Sequence, residues 1–184
     1  MEQLSLFGNT EYKTLRTTKP VMDAESLKQW KSRVFNYQQL IRKTEPPKQG
    51  TLFDVAPTHC NPDNIDPFSL QLQSMAFYRM PDDYGQAALY FIIDSAAELL
   101  LYIGETKHSN KRWKGIHDCK DYIGNYQELH YKYDITTAVN IAFWWDAPTN
   151  RKPRQALEQM MIRKWRSPFN KEMWDLWGQT FGHS

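Results

Sequence analysis

The sequence predicts an α/β fold: a small three-stranded antiparallel sheet flanked by helices, with a helical extension on its N-terminal side. Three observations carry this. Two short apolar runs, residues 87–93 and 99–104, are separated by the small and polar Asp94-Ser95-Ala96-Ala97-Glu98, a hairpin signal. Residues 137–145 alternate Val139, Ile141, Phe143 and Trp145 with Ala138, Asn140, Ala142 and Trp144. This is a third strand, apolar on both faces and therefore central or covered on both sides. Finally, the segments after Asp23 and after Asn150 repeat apolar residues at steps of three and four, the spacing of one buried helical seam.

Along the chain, residues 1–8 form a terminal peptide, 9–55 a helical extension, 56–85 a connector packed on the core, and 86–184 the main domain. In the extension, Asp23 is placed to cap a helix. Leu27, Trp30, Val34, Tyr37 and Ile41 make its seam, and Pro46-Pro47 ends it. Its other face carries Lys28, Lys31, Arg42 and Lys43, either a solvated face or a weak phosphate contact. Pro62, Pro67 and Pro81 punctuate an irregular connector. Residues 121–132 carry Tyr122, Tyr126 and Leu129, with Tyr133 just beyond, at mostly helical spacing, which reads as packing. The last helix begins at Asn150, tolerates Pro153 in its first turn, and buries Leu157, Met160, Met161 and Trp165.

A chain of 184 residues holds enough apolar material for one core plus an appended element. The formal net charge of +2 is too mild to mark a nucleic-acid binder as a whole, so any electrostatic footprint is local. Cys60 and Cys119 have no metal-ligand or redox spacing and fit a reducing compartment. No signal-peptide pattern opens the chain, and no run approaches the ~20 apolar residues of a membrane helix. The expectation is a soluble cytoplasmic protein with no membrane partner.

Candidate chemistry centres on the hairpin. Ala88, Tyr90 and Ile92 share one face of the first strand, and Leu100, Tyr102 and Gly104 share one face of the second. A turn centred on Ala96 sets Tyr90 directly opposite Tyr102, with Gly104 leaving room for a ligand or another backbone. Downstream, Ser109 or Asn110 can cap a helix carrying Arg112, whose planar fork suits two phosphate oxygens, with Lys107, Lys111 and Lys114 adding charge. Glu158 lies beside the buried stripe of the last helix, where it either holds a hard divalent cation or pairs with Arg154 or Arg163.

Together, Ala88-Leu89-Tyr90, Tyr102-Ile103-Gly104, Lys111-Arg112-Trp113, Glu158 and Pro168-Phe169-Asn170 resemble, in order and spacing, the motifs of the GIY-YIG nuclease family over residues 86–171. Two departures stand out. Ala88-Leu89 replaces the family's usual Gly-Ile, and His117 follows Arg112 by five residues where many members have a histidine after four, a helical rotation of roughly 100°. The resemblance implies a metal-dependent endonuclease acting on DNA. Glu158 would hold one Mg2+ or Mn2+, Arg112 would neutralise the phosphate, and a tyrosine would position or deprotonate water. Tyr90 is the favoured base with Tyr102 in support, although the roles can be exchanged. Asn170 would bond Glu158, orient a water or cap the turn. A sequence-specific restriction-type enzyme of the same family and a non-cutting adaptor are the alternatives.

Residues 3–7, Gln3-Leu4-Ser5-Leu6-Phe7, look like the pentapeptide by which bacterial replication and repair enzymes dock on the sliding clamp, the DNA polymerase III beta subunit. The glutamine would satisfy the pocket rim while Leu6 and Phe7 enter an apolar cleft. A second such string runs from Gln49 through Leu52 to Phe53. Two weak strings raise avidity if their separation spans two clefts; alternatively, these residues pack internally. Clamp recruitment implies a nucleoid-associated enzyme of repair, recombination or replication, cutting at mismatches, flaps or junctions.

Overall fold

A computed structural model describes residues 22–44, 61–75, 85–109, 118–179 and 181. Both docking strings, with Gln3, Leu4, Leu6, Phe7, Gln49, Leu52 and Phe53, lie outside the described residues. So do Lys111, Arg112, Lys114 and His117.

Helix α1 (Ala24–Lys43) starts where expected: the Asp23 carboxylate accepts the Ser26 N–H at 2.7 Å, satisfying a backbone group that no helical partner can reach. Leu27, Trp30 and Val34 are buried as the seam predicts, and Gln38 is buried with them. In the connector, Pro62 and Pro67 each open a single 3-10 turn, capped by Asn61 and Asp66.

The sheet has four strands, not three. β1 (Leu72–Ser74), β2 (Ala88–Asp94), β3 (Leu99–Thr106) and β4 (Val139–Trp144) stand in the order β1-β4-β2-β3, all antiparallel. The additional β1 is only three residues long and partly exposed, so it carries little apolar signal. β4 is an interior strand and is covered on both faces, so both of the alternatives its two apolar faces left open are realised.

Helices cover both faces. Ala88, Tyr90, Ile92, Ile141 and Phe143 pack beneath α1 and α2 (Asp118–Lys132), which contributes Tyr122, Ile123 and Tyr126. Leu89, Phe91, Ile103 and Ala142 pack against α3 (Arg151–Trp165) through Leu157, Met161, Ile162 and Trp165. A short α4 (Trp174–Trp177) follows. Among the described residues no helix is long and apolar enough to cross a membrane.

β3 is an edge strand whose outer backbone groups are nonetheless bonded. Gln38 of α1 accepts the Leu100 N–H at 2.8 Å and donates to the Leu100 carbonyl at 2.9 Å. The Phe169 N–H donates to the Leu101 carbonyl at 2.9 Å. The Asn170 side chain accepts from Ile103 N–H at 3.0 Å and donates to its carbonyl at 2.8 Å. Two side-chain amides thus stand in for a neighbouring strand, closing an edge that would otherwise invite another chain.

Candidate functional site

The register of the hairpin differs from expectation. Tyr90 faces Gly104, and Tyr102 faces Ile92. Two local features account for this. The turn uses four residues between Asp94 and Leu99, closed by Glu98 at a positive φ of 51°, and a bulge leaves Leu101 unpaired between Leu100 and Tyr102. Each moves the partner of Tyr90 by one position. A shift of one would have sent Tyr102 to the opposite face; a shift of two returns it to the face of Tyr90. The two rings lie diagonally, their centroids 6.0 Å apart and their planes 29° from parallel, and their hydroxyls share a hydrogen bond.

Gly104 has a different task from the one its sequence position suggests. A Cβ there would overlap the Cζ and Oη of Tyr90, so the room left by the missing side chain holds the Tyr90 ring and not a ligand. Tyr90 is fully buried, whereas Tyr102 is half-buried. The Tyr102 phenol therefore faces outward from the pair. Burial pushes its pKa well above the ordinary tyrosine value, and negative charge at Tyr90, Cys119 and Glu158 pushes it further.

That last contribution places Glu158 within electrostatic reach of Tyr102, although the two come from different elements. Glu158 is half-buried on α3. Arg154, one turn earlier and one of the two alternative salt-bridge partners for Glu158, is engaged elsewhere. Its guanidinium is 2% exposed, donates to Glu105 of β3 at 2.5 Å, and holds the Pro148 and Thr149 carbonyls at 2.9 and 2.8 Å. Arg154 anchors the start of α3 to the hairpin, which positions Glu158 one turn along the same helical face. The signal was present in the sequence: Arg154 lies three residues before Leu157, within the buried stripe.

Asn170 is 4% exposed and does not reach toward Glu158. Its Oδ1 accepts from Ile103 N–H and, at 2.6 Å, from the Ser167 hydroxyl, and its Nδ2 donates to the Ile103 carbonyl. It is a positioning residue for the strand that carries Tyr102. Lys107 is exposed just past the end of β3.

Among the described residues, no three of His, Cys, Asp and Glu gather into a metal-binding group. A cation at this site would have the Glu158 carboxylate as its protein ligand and water elsewhere. Magnesium, which dehydrates reluctantly, and manganese, which prefers oxygen donors, both fit a single hard donor of this kind.

A second polar cluster, not anticipated from the sequence, lies at the turn end of the hairpin. Asp94, 0% exposed, accepts from the Tyr126 hydroxyl at 2.7 Å, Ala138 N–H at 2.9 Å, Thr137 Oγ1 at 3.0 Å, Ala96 N–H at 3.1 Å and Lys31 Nζ at 3.4 Å. His130 Nδ1 lies 2.7 Å from the Tyr126 carbonyl, which can only accept, so Nδ1 carries the proton. Nε2 is then the acceptor for Lys31 Nζ at 2.7 Å. The cluster ties α1 and α2 to the sheet.

Compared with family models, curated proteins and solved structures, the chain finds no match.

Proposed function

We propose that this chain is a metal-dependent DNA endonuclease of the GIY-YIG type, hydrolysing phosphodiester bonds and recruited to DNA by the bacterial sliding clamp. One juxtaposition carries the reading: two stacked phenols from adjacent strands with the Glu158 carboxylate acting on the outer one, the groups that the sequence resemblance singles out.

Their environments divide the work. Tyr102, half-buried with a raised pKa, is a neutral phenol at physiological pH, and its single O–H, shared with Tyr90 in the free protein, turns to the phosphate or the attacking water when DNA is bound. Tyr90, fully buried behind it, acts through the hydrogen bond the two share; this reverses the order of roles expected from sequence. Glu158 would hold a magnesium or manganese ion, which would supply Lewis-acid polarisation of the phosphate. Arg112 neutralises charge developing on the phosphate, with Lys107, Lys111 and Lys114 nearby in sequence. Modest net basicity fits an enzyme that borrows affinity from the clamp.

The deciding experiment incubates the full chain with magnesium and a panel of linear, nicked, branched and mismatched DNAs, with and without the clamp. Parent cleavage that falls at least about a hundredfold in Glu158→Ala and Arg112→Ala is expected. Clamp binding should weaken when Leu6 and Phe7, or Leu52 and Phe53, become alanine. No cleavage by the parent, or parent and catalytic variants cutting alike, refutes the nuclease assignment. Unchanged clamp binding in both docking variants removes the tether.

A further inference from the structure

The aromatic pair of the candidate site continues across the sheet. Tyr90 lies 6.4 Å from Phe143 of β4, and Phe143 stacks face to face on Trp145, with centroids 4.7 Å apart and planes 14° from parallel. The row Tyr102, Tyr90, Phe143, Trp145 therefore has no step longer than 6.4 Å. Its inner members are buried or half-buried, but Trp145 is 40% exposed. An indole backed by a ring that is itself only 5% exposed is held flat before any ligand arrives, so little conformational freedom remains to be lost on binding.

The surroundings favour an anionic strand. Trp144 pairs with Leu89, which sets Trp145 at the end of the sheet where Ala88 and Thr106 close the β2–β3 pairing and where exposed Lys107 follows. Arg151 and Lys152, both exposed, open α3 beyond the next loop. Asp146, also exposed, adds one negative charge next to Trp145 in the sequence, against the three cations.

We propose that Trp145 is a stacking platform for an unpaired DNA base beside the cleaved linkage, and that the substrates are strands with unpaired bases near the cut. This rests on the nuclease reading and narrows its substrate. A base inside a continuous duplex has both faces covered by its neighbours, whereas an unpaired base can extend the Phe143–Trp145 stack by one ring. Every base has a π-face, so the contact is tolerant of sequence and selective for strand state.

Binding without catalysis tests it. Fluorescence anisotropy in chelator measures affinity of the full chain for labelled oligothymidylate and for a blunt duplex of equal length. The comparison uses parent, Trp145→Tyr and Trp145→Leu, with circular dichroism melting to verify folding. Leucine keeps an apolar contact on Phe143 but offers no flat ring; tyrosine keeps the ring. Trp145→Leu should lose about fivefold to a hundredfold in single-strand affinity with duplex affinity unchanged, and Trp145→Tyr should keep most of it. Equal single-strand binding by Leu, Tyr and parent, or equal losses on both DNAs, overturns the platform. Cleavage of the linear, nicked, branched and mismatched DNAs with magnesium is scored separately. Its absence with the anisotropy pattern intact refutes the nuclease reading alone, and its presence with a flat anisotropy pattern refutes the platform alone.

Discussion

Replacing Asp94 by asparagine should destabilise the fold far more than a neutral, nearly isosteric change ordinarily would. The carboxylate accepts five hydrogen bonds, one of them from the Lys31 ammonium, whose side chain is 13% exposed. An amide offers one acceptor oxygen and turns two N–H groups toward existing donors. Removing one partner of a buried ion pair costs about 3–5 kcal/mol, and the slight exposure of Lys31 argues for the lower end. At about 2–4 °C per kcal/mol for a chain of this size, about 3 kcal/mol lowers Tm by roughly 6–12 °C. Melting followed by circular dichroism at neutral pH reads this directly, and Lys31→Met in the same background should recover part of the loss by removing the stranded cation. The pH dependence supplies a second check. Burial alone would raise the Asp94 pKa, but Ala138 N–H, the Tyr126 hydroxyl, Lys31 and Thr137 outweigh it and hold the group below the ordinary carboxylate range. Its contribution is therefore complete above about pH 4 and is lost as pH falls through the lower folded value. Burial holds His130 below its ordinary value, assisted by Lys31 and opposed by its bond to Tyr126 and by Asp94. The unfolded chain thus takes up that proton first, and stability shrinks as pH falls below about 6.5. An Asp94→Asn variant melting within about 2 °C of the parent, with an unchanged acid limb, would refute this account of the cluster.

Two further substitutions probe the site itself. Gly104→Ala drives a methyl group into the buried Tyr90 ring and should cost about 1–3 kcal/mol in a denaturant or thermal melt, while displacing the phenol pair and, on the proposed nuclease reading, reducing cleavage together with stability. Normal stability and cleavage would mean that the ring has somewhere else to go. Asn170→Ala strands the Ile103 N–H and carbonyl, at about 1–3 kcal/mol for an unsatisfied buried group. Hydrogen exchange at Ile103 should accelerate more than at Phe91, whose strand is paired on both sides, and equal protection of the two would argue against the amide as a strand mimic.

What could be read from the sequence follows the reach of each signal. Period-two and helical patterns report which face a residue occupies, and they located α1, α3, the hairpin and β4. The four-residue turn and the bulge at Leu101 leave no compositional mark, so the partner of Tyr90 was misplaced by two positions while its face was right. β1 was missed because three partly exposed residues yield no periodicity. Polar residues buried by long-range partners were invisible for a related reason. Gln38, Asp94 and Arg154 look like surface residues until Leu100, Tyr126 and Glu105 arrive from distant parts of the chain. Arg154 was the most accessible of the three, since its helical phase matches Leu157 and Met161.

Those buried polar contacts explain how an edge strand can carry a site. β3 supplies Tyr102 and Gly104, yet it pairs with a neighbour on one side only. A slip of one residue would reverse every side chain on it and send Tyr102 to the face covered by α3. Three kinds of contact oppose that slip at successive positions: Gln38 brackets Leu100, Phe169 and Asn170 bind Leu101 and Ile103, and Arg154 clasps Glu105. Each discriminates register, because a shifted strand would present backbone groups pointing inward where the amides wait and would turn Glu105 away from Arg154. Two of these anchors, Arg154 and the turn at Asn170, flank Glu158 along the chain, so the parts of the chain that fix the register of Tyr102 also hold the helix that carries Glu158. A catalytic constellation of the kind proposed needs supporting contacts like these, and loosening any one should spread the phenols and the acid apart before it unfolds the domain.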